Sequence, residues 1–362
     1  MPFLNLAEIE EAALERLPRN AADYYRSGAR DEHTLKANRD AWAEWSIRYR
    51  CMVDTSHRSC STGLLGLSLP HPIGVAPTAF HGLAHPEGEC ETARGLNGAL
   101  MCVSTLSNRP IEDIVAAATG PVLFQLYLYK DRGAARALLQ RAAAASVRAI
   151  VWTVDAPILG VRERDVRNRF QLPPELHLPH VAPMARLPAD EGSALAAWVA
   201  KNLDPAISWD DLAWIREASG LPVIVKGIVR GDDAARAVDA GASAVVVSNH
   251  GGRQLDGAIA TARALPDVVD AVAGQAPVWV DGGIRRGVDV LRALCLGAQY
   301  VLVGRPALWG LAAGGADGVR SALQMLRDEL HEAMGLAGVN GPNECTRDLL
   351  TGAHHPAVVV DP

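Results

Sequence analysis

The sequence predicts an α/β fold: a closed (β/α)8 barrel with an N-terminal helical extension and a long loop after the fourth strand. Three observations predict it. Eight short apolar runs punctuate the chain, each ending in polar or glycine-rich residues. Helix-like patterns separate most of them, and such alternation argues for a parallel sheet. Eight units, rather than five or six, argue that the sheet closes into a barrel. No Gly-x-Gly-x-x-Gly follows the first run and no Gly-x-x-x-x-Gly-Lys-[Ser/Thr] occurs, which counts against a dinucleotide fold and a P-loop.

Residues 1 to about 70 form the extension before the barrel. Asn5 with Glu8 reads as a helix start with a capping box, and Pro18 ends that helix. The strand candidates then run Pro72 to Pro77, Met101 to Thr105, Leu123 to Tyr127, Ala149 to Asp155, Pro222 to Gly227, Ala244 to His250, Pro277 to Gly283 and Tyr300 to Pro306. Arg132 to Ala145 and Asp232 to Ala240 carry helical patterns between them. The longest gap is 156–221. It holds a Pro- and Leu-rich stretch, Leu172 to Pro188, and a helix at Ser208 to Ser219, with Ser208 and Asp211 at its start. So long a connection predicts a lid or a disordered segment. Its basic residues are too few for a membrane-anchoring helix. Residues 1–362 read as one barrel domain.

With 362 residues and 49% hydrophobic content, the chain can bury a large core. A net charge of −6, a pI near 6.0 and no block of like charge exclude nucleic acid and anionic membranes as expected partners. No apolar stretch reaches the roughly 18 residues of a spanning helix. Met1 to Asn5 lacks signal-peptide character, and Val359 to Pro362 carries no lipidation or peroxisomal signal. A cytoplasmic protein is expected. Cys51, Cys60, Cys90, Cys102, Cys295 and Cys345 are scattered without a Cys-x-x-Cys, so reduced thiols and no metal site are expected.

Polar residues collect at the strand ends. Ala76-Pro77-Thr78-Ala79 ends the first and Thr105-Leu106-Ser107 the second, while Gln125 and Tyr127 lie on the third. Thr153-Val154-Asp155 ends the fourth, with Arg162 soon after; Lys226 ends the fifth, and His250 and Arg253 follow the sixth. Singly, Lys226 reads as a solvated charge, Asp155 as a helix cap and Tyr127 as a packed ring. Jointly, at the ligand-binding end of a barrel, they read as a site. Asp281-Gly282-Gly283-Ile284-Arg285 and Gly304-Arg305 suit a phosphate, through close backbone N–H groups and arginines. His250 beside Arg253 suits a small carboxylate with a removable proton next to it.

Several of these segments, in order, resemble one family: the FMN-dependent 2-hydroxy-acid oxidases and dehydrogenases, which include glycolate, lactate and hydroxymandelate oxidases. They are Asp23-Tyr24-Tyr25-x-Ser27-Gly28-Ala29, Ala76 to Ala79, His85 to Glu89, Phe124 to Tyr127, Thr153 to Asp155, Val225 to Gly227, Ser248 to Asp256 and Asp281 to Gly287. The Ser-Asn-His-Gly-Gly-Arg-Gln-Leu-Asp run is the most specific of them. The resemblance implies FMN and a small 2-hydroxy-acid substrate. It makes His250 the general base, Asp155 its orienting partner, and Arg253, Arg162 and Tyr24 the carboxylate grip. Tyr127 bonds the substrate oxygen, and Lys226 lies near flavin N1 and C2. Pro77, Thr78, Ala79, Ser107, Gln125, Thr153 and Ser248 touch the ring or ribityl chain. Asp281, Gly282, Gly283, Ile284, Arg285, Gly304 and Arg305 hold the ribityl and phosphate. Carbanion and hydride routes both stay open.

The resemblance departs at Asn108-Arg109-Pro110-Ile111-Glu112, a shorter connection without an aromatic residue, which favours a 2-hydroxy acid larger than glycolate. Arg109 either lines the side-chain pocket or sits on the surface, leaving Leu159 or the long loop to close it. Ala79 is compatible with oxidase behaviour, so O2 is the expected acceptor and hydrogen peroxide the product. A non-oxygen acceptor stays open. So do a phosphate-binding isomerase or aldolase using Lys226 as a Schiff base, and a flavin-binding sensor without turnover. A homotetramer or octamer is implied.

Overall fold

A computed structural model describes residues 3–181 and 194–352. Eight parallel strands close into a barrel: β1 (Ile73–Val75), β2 (Met101–Val103), β3 (Val122–Leu126), β4 (Ile150–Thr153), β5 (Val223–Ile228), β6 (Ala244–Val247), β7 (Val278–Asp281) and β8 (Tyr300–Val303). β8 pairs back with β1 through Val301–Ile73, Leu302–Gly74 and Val303–Val75. This is the TIM barrel that the eight runs predict, and every strand overlaps its run.

The strands read as apolar throughout because both their faces are buried. Outward-facing Val103, Phe124, Trp152, Val225 and Val280 join the helices in one large core. Inward-facing Cys102, Leu123, Val151, Ile224, Val246 and Trp279 fill the barrel. Side chains on a strand repeat every second residue. Two residues further on, the inward positions are therefore Ser104, Gln125, Thr153, Lys226, Ser248 and Asp281. The same face is dry at mid-barrel and polar at the carboxyl ends. The opposite end is closed by a hairpin, Thr62–Leu64 against Leu67–Leu69, whose Leu64 and Leu69 pack into the interior cluster.

The extension contains α1 (Leu6–Arg16), α2 (Arg19–Arg26) and α3 (His33–Ala43). Asn5 Oδ1 accepts from the N–H groups of Ala7 (2.9 Å) and Glu8 (3.1 Å), so the predicted N-cap forms; the box is not closed, because Glu8 accepts from the Leu4 N–H (2.8 Å) and the Asn5 side chain rather than from the Asn5 N–H. Pro18 ends α1 and also opens α2. α1 packs along the last helical segment, Arg305–Ala337, which is broken at Gly314 and Gly315, and strand Trp45–Ile47 pairs antiparallel with Leu350–Gly352.

The described part of 156–221 holds helices Glu163–Arg167, Ala194–Asn202 and Asp210–Ser219, the last where the sequence places one. The last begins without a side-chain cap from Ser208; Asp211 instead accepts from the Ser208 N–H at 2.8 Å. Residues 182–188 of the Pro- and Leu-rich stretch, Met1-Pro2 and Val359 to Pro362 lie outside the described residues. No helix among the described residues is long and apolar enough to cross a membrane.

Candidate active site

The polar strand ends and the extension enclose a cavity of about 1120 Å³, its open mouth included. Tyr24, Pro77, Thr78, Ala79, Tyr127, Arg162, Lys226, His250, Arg253, Asp281, Gly282, Gly283, Ile284, Arg285, Gly304 and Arg305 line it.

The turn after β6 sets His250 in left-handed backbone, φ 59°, a conformation that costs a non-glycine residue energy and recurs at functional sites. Its Nδ1 lies 2.8 Å from Asp155 Oδ1 and its Nε2 lies 3.4 Å from the Tyr127 hydroxyl. Burial lowers the imidazole pKa, and Asp155 offsets only part of that. Burial raises the Asp155 carboxyl, but the facing His250 and the charge of Lys226 together outweigh it and hold the acid ionised. A neutral imidazole then donates Nδ1–H to Asp155 and presents Nε2 as the proton acceptor. Burial pushes the Tyr127 phenol well above its ordinary range, so it keeps its proton and can donate.

Arg162 and Arg253 provide positive charge beside this row. Arg162 is buried with Nε unpartnered; burial, then the charge of Arg253, bring its pKa down to about 10, which leaves it a cation at neutral pH. Arg253 Nη1 donates to the carbonyls of Tyr24 (2.7 Å) and Ser27 (2.8 Å), and its guanidinium lies 4.9 Å above the Tyr24 ring. Tyr24 in turn stacks on Phe170 at 4.5 Å. Asp165, a residue that sequence reasoning missed, is buried near both arginines, and burial raises its pKa.

Beneath them, Lys226 Nζ donates to Ser248 Oγ at 2.8 Å and pairs with Asp281 Oδ2 at 3.0 Å. Burial opposes the ammonium, but Asp281 and then Asp155 more than offset it, and its pKa is raised. Gln125 Oε1 accepts from the Thr105 N–H at 3.1 Å. Gln125 Nε2, Thr153 Oγ1 and Asp281 Oδ1 are buried without partners. Buried polar atoms are costly when unpaired, so this cluster suits a ligand that brings its own donors and acceptors.

The anion end is less open than the sequence suggested. Gly282 (φ 99°) and Gly283 (φ 81°) turn the chain, and a Cβ on Gly283 would overlap the Asn38 carbonyl of α3. Arg285 has an unpartnered Nε, and burial lowers its pKa to about 10. Arg305 borders the cavity, but its Nε, Nη1 and Nη2 donate to the carbonyls of Tyr25 (2.9 Å), Gly251 (3.1 Å) and Ser27 (3.0 Å). It ties the extension to the β6 turn as well as facing the site.

Ser107 Oγ donates to Arg109 O at 3.0 Å and meets His180 Nδ1 at 3.0 Å. Like Gln125, Thr153 and Ser248, it is buried behind the residues that line the cavity, while Ser104, on the inward parity of β2, lines it. Arg109 is a surface residue bonded to Pro86 O and Glu87. Leu106, Leu159, Leu195, Val199 and Leu203 supply the apolar wall. The last three recur at i, i+4 and i+8, a helical stripe that could have been read from the sequence.

The sequence model of one family, FMN-dependent dehydrogenase, matches residues 13–352. The chain is 52% identical over 344 residues to an L-lactate oxidase of Nostoc sp. (strain PCC 7120 / SAG 25.82 / UTEX 2576), covering 92% of this chain and 94% of that one. It is 43% identical over 351 residues to a glycolate oxidase of Spinacia oleracea, covering 96% and 95%. The crystal structure of a mandelate oxidase with (S)-4-hydroxymandelic acid superposes with a TM-score of 0.92 at 42% identity, covering 96% of this chain and 98% of that one. FMN suits the cavity on the structure's own terms. The unpartnered Gln125, Thr153 and Asp281 atoms and the Lys226 ammonium match a flat ring with polar edges, and the Gly282–Arg285 turn matches an anionic tail. The chain belongs to the FMN-dependent dehydrogenase family.

Proposed function

We propose that the protein oxidises an (S)-2-hydroxy acid to the 2-oxo acid, with FMN as cofactor and O2 as electron acceptor, releasing hydrogen peroxide. The row Asp155–His250–Tyr127 beside Arg162 and Arg253 carries this reading. It joins a base, its orienting acid, a hydroxyl donor and a carboxylate grip in one cavity. The oxidase names of the relatives support O2.

Arg162, Arg253 and the Tyr24 hydroxyl bind and orient the carboxylate, so binding energy serves alignment. His250 Nε2 takes a proton from the substrate, and Asp155 steadies the imidazolium that results. The Tyr127 hydroxyl donates to the substrate oxygen. FMN, when bound, accepts the two electrons that leave the substrate carbon. Lys226 sets positive charge beside the ring; Pro77, Thr78, Ala79, Gln125, Thr153 and Ser248 frame it. Asp281 to Arg285, Gly304 and Arg305 hold the tail. The wall of Leu106, Leu159, Leu195, Val199 and Leu203 favours a substrate with an apolar side chain over glycolate. Six unpaired cysteines suit a reducing compartment such as the cytoplasm. A homotetramer or octamer follows from the resemblance to glycolate oxidase.

Anaerobic mixing of the purified protein with paired S- and R-2-hydroxy acids tests the reading. Bleaching of the flavin bands by S acids alone, then peroxide on admitting air, is expected. No bleaching by any acid would overturn it, and bleaching without peroxide would overturn the choice of O2.

A further inference from the structure

Gln254 holds no charge and moves no proton, yet its side chain meets the segment after β4 at three points. Nε2 donates to Asp155 O at 3.0 Å and to Ile158 O at 2.8 Å, and Oε1 accepts from the Gly160 N–H at 3.0 Å. These partners fix the amide's orientation, because a flipped amide would set its oxygen against two carbonyl oxygens. The backbones also touch: a Cβ on Gly160 would overlap Arg253 O and lie 2.6 Å from Gln254 Cα. On the other side Asp155 is packed on Gly227, where an added Cβ would come within 2.7 Å of Asp155 Cβ. Asp155 is thus gripped between the end of β5 and the Gln254 amide. Arg253, the preceding residue, reaches the opposite way to Tyr24 and Ser27. The pair 253–254 therefore joins the extension, the β6 turn and the β4 turn around one cavity.

We propose that Gln254 is a positioning residue for the oxidation. Its amide fixes residues 155–160, which sets the Asp155 carboxylate against His250 and the Leu159 wall against the substrate's side chain. The inference rests on His250 being the base. Glutamate has the same length but, when ionised, donates to neither carbonyl, so Gln254→Glu separates hydrogen-bond donation from shape. Gln254→Ala removes both.

Anaerobic rapid mixing from pH 5 to 9, with wild type, Q254A, Q254E and H250A, tests it. Both Gln254 variants are expected to retain FMN and to lose about 10- to 100-fold in limiting flavin-reduction rate, with a smaller change in substrate affinity. In Q254A the acid limb of the rate profile moves to lower pH, because His250 loses part of the pull of Asp155. A wild-type rate and limb in Q254A would overturn the proposal, as would wild-type behaviour of Q254E, which would show that shape suffices. Wild type unbleached by every 2-hydroxy acid, or H250A as fast as wild type, would instead bring down the proposed function and this inference with it.

Discussion

At the residue scale, proton transfer and charge burial separate cleanly. His250→Ala is expected to keep FMN and lose about 10²–10⁴ in flavin-reduction rate, measured by anaerobic stopped flow. The base must start neutral, so the rate falls as pH drops through the His250 pKa. Burial sets that pKa below the ordinary histidine value, so oxidation persists into mildly acidic solution. Asp155 pushes the other way, so Asp155→Asn should carry the acid limb lower still while slowing the plateau. Lys226→Met strands Asp281 in a buried site. Breaking such a pair costs about 3–5 kcal/mol, read as a lower Tm by calorimetry and as FMN release by fluorescence. His250 and Arg253 were legible because a two-face-buried strand cannot hold them except at its end. Ser104 was overlooked because a serine on the inward face at a strand's end looks the same, in sequence, as one just past it.

At the scale of elements, the strands were legible and the connections less so. Continuous apolar runs such as Ala244 to Val247 have one use in a chain of this pattern. The helix Ala194–Asn202 was overlooked because it is short and follows a Pro- and Leu-rich stretch, although Leu195, Val199 and Leu203 carry its periodicity. That helix supplies part of the apolar wall, so Val199→Phe should shift preference toward smaller acids. A change in pocket size of this order is worth about 1–3 kcal/mol in relative kcat/KM between long and short substrates, measured by peroxide release across a chain-length series. The glycine turn after β7 was read as a phosphate cradle. The structure adds that Gly283 must be bare because α3 lies against it. That contact joins residues far apart in sequence, and no local pattern announces it.

For the whole molecule, acid stability follows from histidines kept neutral inside. Burial lowers His81 to about 3 and His71 and His180 to about 4. Between these values and the ordinary histidine range the unfolded chain binds more protons, so stability rises with pH there and is lost on acidification. Glu89, raised by burial to about 7, has the opposite slope between the ordinary glutamate value and 7, but one group against three does not reverse the trend. Thermal midpoints should therefore fall as pH drops from 6.5 toward 4; a midpoint that held steady would contradict the buried-neutral state of these rings. The pairing of Trp45–Ile47 with Leu350–Gly352, and of α1 with the final helix, has a consequence for biosynthesis. The extension finds its berth only after Arg305 to Ala337 and Leu350 to Gly352 have left the ribosome. Tyr24 and the carbonyls that anchor Arg253 and Arg305 wait with it, so a nascent barrel stays uncapped, and open to its prosthetic group, until those later segments are made.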